Sequence, residues 1–379
     1  MRIKTENLKP VYKVWNQIRV KGSPLYENVF LDFENKTIGF KNEQATVKAS
    51  LELEDNDGKG LEHRPMFVDG SKFFSLVQFY DYVDLSDDDI FYSSMGDAFQ
   101  IPELEAEEVE LADQEYDDWS TYSVSFTPEL NKKLSLSFGY VDASENSDFS
   151  ALFIRLGSLI ACTRFKMFIA ETDNGLEEAD FGIPLPLLRL INSMGMQGTV
   201  DLKIRDNVAD SKMIEFTYGD IWIRYGASGR YVLPIDPESE DFHSTYDFPT
   251  YFSVNLAELD GATKFLASYF SDVPSAICRM EFNTEDEDAM TMTLHVGYES
   301  SGFTDYKVKI TSCSDPEYFN RKSGAMYLSY IRNAINIFSQ YSVEEMRITF
   351  DEDAPALGFF DAKEETPVFV VHTALVEDL

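Results

Sequence analysis

Four histidines and several carboxylate clusters are the residues of this 379-residue chain that could support metal or acid–base chemistry. Such groups act together only when their spacing places them on one face of an element, as in the His-Glu-x-x-His helix of zinc enzymes. The histidines are far apart and none has that spacing; they are His63, His243, His295 and His372. We therefore expect no catalytic site, no metal and no cofactor, and the chain is not expected to be an enzyme.

The acidic clusters have the composition of solvated turns. Asp55-Asn56-Asp57-Gly58 begins like a calcium loop but lacks the later ligands and the closing glutamate. Asp87–Asp89 and Glu285–Asp288 could hold a divalent ion, but charge runs of this kind usually remain hydrated. A nuclease or phosphatase would need carboxylates that converge at strand ends with histidine or lysine support, and we find no such pattern.

The remaining chemical motifs are also missing from the sequence. Cys162, Cys278 and Cys313 are far apart, and an odd number without Cys-x-x-Cys spacing argues against a disulfide framework and a zinc site. We expect buried thiols. The chain contains no phosphate-binding loop, no nucleophile elbow and no dinucleotide-binding glycine pattern.

A helical segment followed by alternating strand-like runs recurs about six times, at a spacing of roughly 55 to 70 residues. The helical segments are Thr5–Arg19, Asp69–Val83, Thr127–Val141, Ile183–Gly195, Asn255–Phe270 and Arg321–Tyr341. Every second copy marks about a third of the chain. The sequence therefore predicts an α+β fold of three similar domains, each an internal duplication, with boundaries at 1–120, 121–249 and 250–379.

Local signals support several of these helices. The first carries apolar residues at helical spacing, namely Leu8, Val11, Tyr12, Trp15 and Ile18. Thr5, Asp69 and Thr127 are predicted N-caps, and Pro128 lies at the first helical position, where proline is tolerated.

Charge is distributed unevenly along the chain. The formal net charge is −35, with 67 acidic and 32 basic residues. Basic residues concentrate on the helical segments, whereas acids crowd the turns and strand ends, so a common helical surface would be basic on an acidic body. An acidic protein that mimics DNA is the alternative, and it would carry acids on its helix faces instead.

Two features bear on the compartment. No apolar run approaches the roughly 20 residues that cross a bilayer. The first residues, Met1-Arg2-Ile3-Lys4, lack an apolar signal region. We expect a cytoplasmic protein with no membrane partner.

Four stretches, taken in order along the chain, resemble one known family. They are Pro65–Gln78 (PMFVDGSKFFSLVQ), Phe126–Leu134 (FTPELNKKL), Tyr218–Arg224 (YGDIWIR) and Phe369–His372. The chain resembles the sliding DNA clamps, in the three-domain form of the bacterial polymerase III β subunit, over essentially its whole length. The resemblance implies a DNA-clamp fold in which each domain is a duplicated β-α-β-β-β unit, with helices lining a central pore and sheets outside.

The resemblance also implies a function. Clamps of this form close as head-to-tail homodimers around double-stranded DNA, contact it without sequence preference, and tether the replicative polymerase; a separate clamp loader spends the ATP. The pore candidates are Lys9, Lys13, Arg19, Lys21, Lys132, Lys133, Arg189, Lys264, Lys322 and Arg332. Lys21 falls near a DNA-contacting arginine of the family. Candidate strands for the closing interface lie near Phe91–Ile101 and Ala276–Phe282.

The family binds a short peptide motif of its partners in an apolar pocket between its second and third domains. By position, the pocket residues here are Arg164, Phe165, Lys166, Met167, Phe242, Tyr246, Phe248, Val370, Val371, His372 and Leu375. The sequence departs from the family at this site: Cys162–Met167 replaces a Thr-Asp-Gly-His-Arg-Leu run, and the family's Met-Pro-Met-Arg-Leu ending is missing. These departures predict an altered or blocked pocket and suggest a bacteriophage-encoded clamp that acts in the host cytoplasm.

Overall fold

The computed structural model describes residues 1–19, 27–55, 64–101, 116–143, 149–208, 211–228, 250–271, 273, 275–286, 289–298, 302–320, 322–351, 356–363 and 368–373. The chain forms two compact units. The first unit comprises residues 1–134, 174–179 and 183–231, and the second comprises residues 135–173, 180–182 and 232–379.

The secondary structure repeats one order of elements six times: a strand, a helix and three strands. The first two copies contain β1 (Arg2–Lys4), α1 (Leu8–Ile18), β2 (Asn28–Asp32), β3 (Thr37–Lys41), β4 (Ala45–Ser50), β5 (Leu53–Glu54), β6 (Met66–Asp69), α2 (Gly70–Phe79), β7 (Tyr82–Leu85), β8 (Phe91–Ser93) and β9 (Ala98–Phe99). The short β5 follows β4 in the chain and pairs with β1.

The third and fourth copies contain β10 (Ser120–Phe126), α3 (Pro128–Ser137), a 3-10 turn (Phe138–Tyr140), β11 (Ala151–Arg155), β12 (Ser158–Cys162), β13 (Lys166–Glu171), β14 (Asp180–Pro184), α4 (Leu185–Met194), β15 (Gly198–Val208), β16 (Ser211–Tyr218) and β17 (Ile221–Ser228). The last two contain β18 (Tyr251–Asn255), α5 (Leu256–Tyr269), β19 (Ile277–Asn283), β20 (Thr291–Tyr298), β21 (Gly302–Cys313), α6 (Pro316–Phe319), β22 (Ser323–Tyr327), α7 (Leu328–Gln340), β23 (Glu345–Asp351), β24 (Ala356–Asp361) and β25 (Val368–Thr373). The duplicated β-α-β-β-β unit that the sequence predicts is confirmed.

The sheets interlock the copies in pairs. Their strand orders are β5-β1-β7-β8-β9, β10-β15-β16-β17-β4-β3-β2-β6, and β14-β11-β12-β13-β25-β24-β23-β18-β21-β20-β19-β22. In each pair of copies, the first strand of one copy joins the last three strands of the other. This exchange groups the six copies as three pairs, while the exact domain boundaries stay a prediction.

Consecutive pairs are joined by one kind of junction. In the first unit β17 pairs with β4, with Ile221 opposite Ala49 and Tyr225 opposite Ala45. In the second unit β25 pairs with β13, with His372 opposite Lys166 and Val368 opposite Ala170. Both junctions follow the same rule. The last strand of one pair of copies (β17 or β25) lies beside the last strand of the first copy in the preceding pair (β4 or β13).

Helix caps follow the sequence in two of three places. The Asp69 carboxylate accepts a hydrogen bond from the Lys72 amide at 3.1 Å, and the Thr127 hydroxyl accepts one from the Leu130 amide at 3.1 Å. The prediction for Thr5 is wrong, because α1 begins three residues later and Asn7 is its N-cap. The Thr5 hydroxyl instead donates to the carbonyl of Tyr80, a tertiary contact that a local pattern does not reveal.

Aromatic packing fixes α1 against α2 in the first unit. The ring centroids of Trp15 and Phe74 lie 5.0 Å apart, and both side chains are buried. A Cβ atom at Gly70 would lie 2.9 Å from the Trp15 ring, so the start of α2 can approach the indole only with glycine at this position. The face of α1 opposite this core carries Lys9, Lys13 and Gln17.

Among the described helices, none is long and apolar enough to cross a membrane.

Candidate DNA-facing and partner-binding surfaces

The six helices of ten or more residues, among those the structure describes, are a basic subset of an acidic chain. Together they hold eight lysines and arginines but three carboxylates, which are Glu129, Glu258 and Asp260. There is no acidic residue in helices α1, α2, α4 and α7. The predicted concentration of basic residues on helices is therefore confirmed for these elements.

Helices α1 and α4 pack against each other in the first unit and present the clearest cationic surface. Lys9 and Lys13 on α1 and Arg189 on α4 are exposed. No carboxylate among the described residues pairs with any of these three cations. Their charges are therefore available to an external anion, and we call these three residues the α1–α4 cations.

The other candidates are placed less favourably for phosphate contact. Arg332 on α7 is half-exposed and pairs with no described carboxylate. The ammonium group of Lys264 is neutralised by Asp260, with Nζ and Oδ2 2.5 Å apart. The Arg19 guanidinium stacks on its own Trp15 ring at 4.6 Å, and the Lys322 ammonium lies 5.3 Å from the centre of the Tyr318 ring.

The prediction that Lys133 lies on an exposed face is wrong. Its side chain is 5 % exposed, and Nζ lies 3.9 Å from the Glu129 carboxylate one helical turn earlier. Lys132 is half-buried. Two adjacent lysines cannot share one face of a helix, because successive residues are about 100° apart, so one of the two turns inward. Lys21 lies outside the described residues.

The antiparallel ladder of β13 and β25 brings together one group of the predicted pocket residues in the second unit. Lys166 lies opposite His372, and Met167 lies opposite Val371. Met167, Val370, Val371 and His372 are buried in the ladder, whereas Arg164 and Phe165 are exposed at its end. Their role as a pocket stays a prediction. Phe242, Tyr246, Phe248 and Leu375 lie outside the described residues.

Three aromatic side chains enclose His372. Its ring stacks on Tyr330 with centroids 5.0 Å apart, meets Phe359 edge-on at 5.6 Å, and places Nε2 3.2 Å from the Tyr140 hydroxyl. Nδ1 is buried and has no hydrogen-bond partner among the described residues. Burial, and to a smaller extent the nearby Lys166 charge, lower the pKa of His372 to about 3. The imidazole is therefore neutral at pH 7.

Stability is expected to depend on His372 below pH 6.5. An unfolded histidine takes up a proton near pH 6.5, whereas the buried one stays neutral down to about pH 3, so acid favours the unfolded chain. The stabilisation is fully present above pH 6.5 and falls by up to about 1.4 kcal/mol per pH unit below it. Urea unfolding of the protein and its His372→Phe variant from pH 7.5 to 4.5 measures the difference. A difference that does not change with pH would contradict a neutral buried imidazole.

Burial also has a consequence for Lys166. Its ammonium group lies 5.3 Å from the centre of the Tyr140 ring, and burial lowers the pKa of Lys166. No described carboxylate pairs with it. The cation is thus stabilised by an aromatic face, which is a weaker partner than a carboxylate.

The structure gives no support to metal chemistry in its described part. No group of three or more His, Cys, Asp or Glu side chains there could hold a metal ion. Cys162 and Cys278 are buried and Cys313 is half-buried, and none is in a disulfide. Burial raises the pKa of both buried thiols to about 12, which keeps them protonated and unreactive.

Sequence reasoning missed a set of exposed aromatic and apolar residues. Phe79 at the end of α2 is 80 % exposed and Phe303 on β21 is 81 % exposed; the others are Met95, Phe265 and Tyr269. The exposure of Phe303 could have been predicted from the sequence. Alternate residues of a strand lie on the same face, and Phe303 shares its face with the polar residues Asp305, Lys307 and Lys309. Likewise, Phe265 and Tyr269 lie at i, i+4 beside Lys264, away from the buried stripe of α5.

No family model matches the sequence, and no curated protein matches it. Solved structures do match over the whole chain. The DNA polymerase III β subunit of Thermotoga maritima has a TM-score of 0.77 at 15% identity and covers 99% of each chain. The DNA polymerase sliding clamp of Caulobacter crescentus has a TM-score of 0.73 at 14% identity and covers 100% of each chain. The DNA polymerase sliding clamp of Bacillus subtilis has a TM-score of 0.74 at 11% identity, and the match covers 99% of this chain and 98% of that one.

At such low identity the likeness lies in the backbone fold. The chain therefore has the fold of the bacterial DNA polymerase III β subunits, the sliding clamps of DNA polymerase.

Proposed function

We propose that this protein is a DNA sliding clamp, a non-enzymatic processivity factor that encircles duplex DNA and tethers the replicative polymerase. The observation that carries the proposal is the group of α1–α4 cations, which stay exposed and without a described carboxylate partner on a chain of net charge −35. It agrees with the fold, since the matching structures are polymerase clamps.

The charge distribution suits contact without sequence reading. Lysine and arginine on a helix surface attract phosphates, which carry no sequence information, and release counterions from the duplex. An acidic body repels DNA elsewhere, so that binding is confined to the helix surface. A protein that must slide needs this combination of weak, uniform attraction and no base contacts.

The DNA-mimic alternative is not favoured. A mimic places carboxylates where DNA carries phosphates, on the surface that meets the partner. Here the six long helices carry three carboxylates against eight cations, and the exposed cations of α1 and α4 pair with no described carboxylate. The acidic residues are instead concentrated outside these helices.

Assembly with a second copy follows from the repeated junction. Two junctions inside the chain pair β17 with β4 and β25 with β13. If the same rule is applied between two protein chains, β9 of one chain would pair with β21 of the other. β9 is the last strand of its sheet, and the segment Gly302–Lys309 of β21 pairs with β20 alone among the described strands. The chain would therefore close head to tail as a homodimer.

One of the two strands that the sequence offered for this interface is excluded. The strand near Ala276–Phe282 is β19, which pairs with β20 on one side and with β22 on the other. Its backbone groups are used within the sheet, so it has no edge to offer. The strand near Phe91–Ile101 includes β9 and remains a candidate.

Exposed aromatic residues accompany both proposed edges. Because α1 packs on α4 beside the β17–β4 junction, the same arrangement at the closing junction would bring α5 of one copy against α2 of the other. Phe265 and Tyr269 on α5, and Phe79 at the end of α2, are exposed in the single chain. Phe303 lies on β21 itself. Burial of these side chains in the dimer would account for their exposure in the single chain.

The other partners are proposed from the same function. A clamp needs a polymerase to tether and a loader to open it, and neither is identified by the residues described. The cytoplasmic location and the bacteriophage origin stay predictions.

Topological retention on DNA tests the proposed function directly. The protein is mixed with nicked circular duplex at concentrations that favour single subunits, then concentrated so that rings close. We expect the protein to co-elute with the circle in high salt, because a closed ring needs no ionic contact to stay linked. Cutting the circle once should release it, since the ring slides off the ends. Equal retention on linear DNA, or loss from circles in high salt, would contradict a clamp.

A further inference from the structure

Strands β19, β20 and β21 carry a row of charged side chains across one face of their sheet. Arg279 lies opposite His295, and His295 lies opposite Asp305. The Nδ1 atom of His295 lies 2.7 Å from the Asp305 carboxylate, and its Nε2 atom lies 3.1 Å from the Glu281 carboxylate. One imidazole therefore connects carboxylates of both neighbouring strands. We call Glu281, His295 and Asp305 the histidine bridge.

The histidine bridge needs a proton on both ring nitrogens. A neutral imidazole has a single N–H, and its other nitrogen presents a lone pair. Whichever nitrogen holds that proton, the lone pair of the other faces a carboxylate at 2.7 or 3.1 Å. Nε2 is buried and has no aligned hydrogen bond among the described residues, although the Glu281 carboxylate is close. A second proton on the ring changes this repulsive contact into an attractive one between opposite charges.

The other charged side chains around His295 do not replace it as the partner of Asp305. Arg279 contacts Glu281 instead, with Nε and Oε1 3.7 Å apart. Lys307, the next residue on the same face of β21, is exposed and pairs with no described carboxylate. Among the described residues, His295 is therefore the one ion-pair partner of Asp305.

The histidine bridge lies beside the strand edge proposed for ring closure. Phe303 shares its face of β21 with Asp305, and a Cβ atom at Gly297 would lie 2.9 Å from the Phe303 Cβ. Phe303, His295 and Asp305 line one cavity of about 300 Å³, together with Ile277. The Asp305 side chain is 51 % exposed, so it still has water to lose. A second chain that covers Phe303 would close this cavity and remove water from Asp305.

We propose that His295 is a proton switch for ring closure: its protonation tightens the homodimer by compensating the Asp305 charge when the second chain covers β21. A carboxylate that loses water is costly unless a cation pairs with it. The protonated ring supplies that cation, and the neutral ring does not. The inference rests on the proposed head-to-tail dimer, because Phe303 and Asp305 are covered only at that junction.

The direction of the pH effect follows from proton linkage. If the dimer binds protons more tightly than the single chain, low pH favours the dimer. Affinity should therefore fall as the pH rises through the range in which histidine loses its charge, about pH 5 to 8. His372 does not produce this effect, because burial lowers its pKa to about 3 and it stays neutral in the folded chain.

Sedimentation of the full protein over a range of concentrations measures the dissociation constant of the dimer at pH 6 and pH 8, at constant ionic strength. We expect about tenfold tighter association at pH 6, since uptake of one proton changes the constant by up to about tenfold per pH unit. Melting temperatures of the variants below are measured in parallel to confirm that they fold.

Two substitutions in the histidine bridge should remove the pH dependence in opposite ways. His295→Gln should associate weakly at both pH values, because glutamine donates a hydrogen bond but carries no charge. Asp305→Asn should associate tightly at both, because no carboxylate is left to compensate. His63→Gln, which removes a histidine outside the described residues, is the matched control and should keep the full pH dependence of the unsubstituted protein.

A dimer of equal affinity at pH 6 and pH 8 would overturn the switch, as would a His295→Gln variant that keeps the pH dependence. An equal loss of affinity in His295→Gln and Asp305→Asn would also contradict it, because both side chains would then have only a structural role. A protein that is monomeric at every pH and concentration would overturn the proposed dimer together with the switch. Retention on circular DNA is measured separately, so the failure of the clamp function is distinguished from the failure of the switch.

Discussion

A variant carrying Lys9→Glu, Lys13→Glu and Arg189→Glu is expected to lose nearly all ionic attraction for duplex DNA. The three cations are exposed, lie on packed helices and pair with no described carboxylate. If each of the three side chains contacts one phosphate, each substitution reduces the slope of log K against log salt concentration by about 0.9. At about 0.1 M salt that amounts to roughly an eightfold loss per contact, or about 500-fold for three. Anisotropy of a labelled duplex, titrated at several salt concentrations, measures both quantities.

The control must change the net charge without touching α1 or α4. Arg64→Glu with Lys363→Glu reverses two exposed cations that pair with Asp89 and Glu344, and it is compared with Lys9→Glu plus Lys13→Glu at equal net charge. We expect a small, uniform loss of binding in the control and a change of salt slope in the helix variant alone. Identical salt slopes in the two double variants would show that total charge, and not the helix surface, governs binding.

Replacing Phe79 or Phe303 with arginine is expected to break the proposed head-to-tail dimer. Both side chains are about 80 % exposed in the single chain, so the fold should tolerate the change, but an interface that buries them should not. A residue of this kind at the centre of an interface contributes about 2 kcal/mol or more, which is roughly a 30-fold loss of affinity. Light scattering coupled to size exclusion should give a mass near twice 43.2 kDa for the unsubstituted protein and near 43.2 kDa for each variant at moderate concentration.

Mixing the two variants distinguishes a head-to-tail junction from a symmetric one. Phe79→Arg blocks one surface and Phe303→Arg blocks the other, so one copy of each can still form a single intact junction. The mixture should regain a mass near two subunits yet fail to stay on circular DNA, because its second junction is blocked on both sides. Mixtures that remain single subunits would contradict the proposed pairing, as would an unsubstituted protein that is monomeric at every concentration.

Local sequence patterns determine the helices of this protein and their buried faces. The apolar spacing of Leu8, Val11, Trp15 and Ile18 predicts the buried face of α1, and all four are buried. Asp69 and Thr127 cap the helices that follow them. Such features depend on residues within one or two turns, so the sequence contains all the information that they need. The sixfold repeat and the basic character of the helices follow for the same reason.

Prediction from sequence failed where a distant residue decides the outcome. Thr5 has the chemistry of an N-cap, but its hydroxyl bonds to Tyr80, which is 75 residues away. Lys133 follows Lys132 in a pattern that reads as solvated, yet it is buried beside Glu129. Side-chain burial depends on what packs against a residue, and that partner is not visible in a local window.

By itself, then, the sequence determined the repeated unit, the helices with their charge, and the absence of familiar catalytic motifs. Only the tertiary structure decided which strands have an edge to offer and which cations face outward. The sequence offered the strand near Ala276–Phe282 for the interface, but this strand is β19, and its pairing with β20 and β22 uses both of its edges. Likewise, the burial of His372 among Tyr140, Tyr330 and Phe359 follows from the ladder of β13 and β25, while its role in a pocket stays a prediction. Backbone hydrogen bonds between distant strands set both outcomes, and those bonds form only in the folded chain.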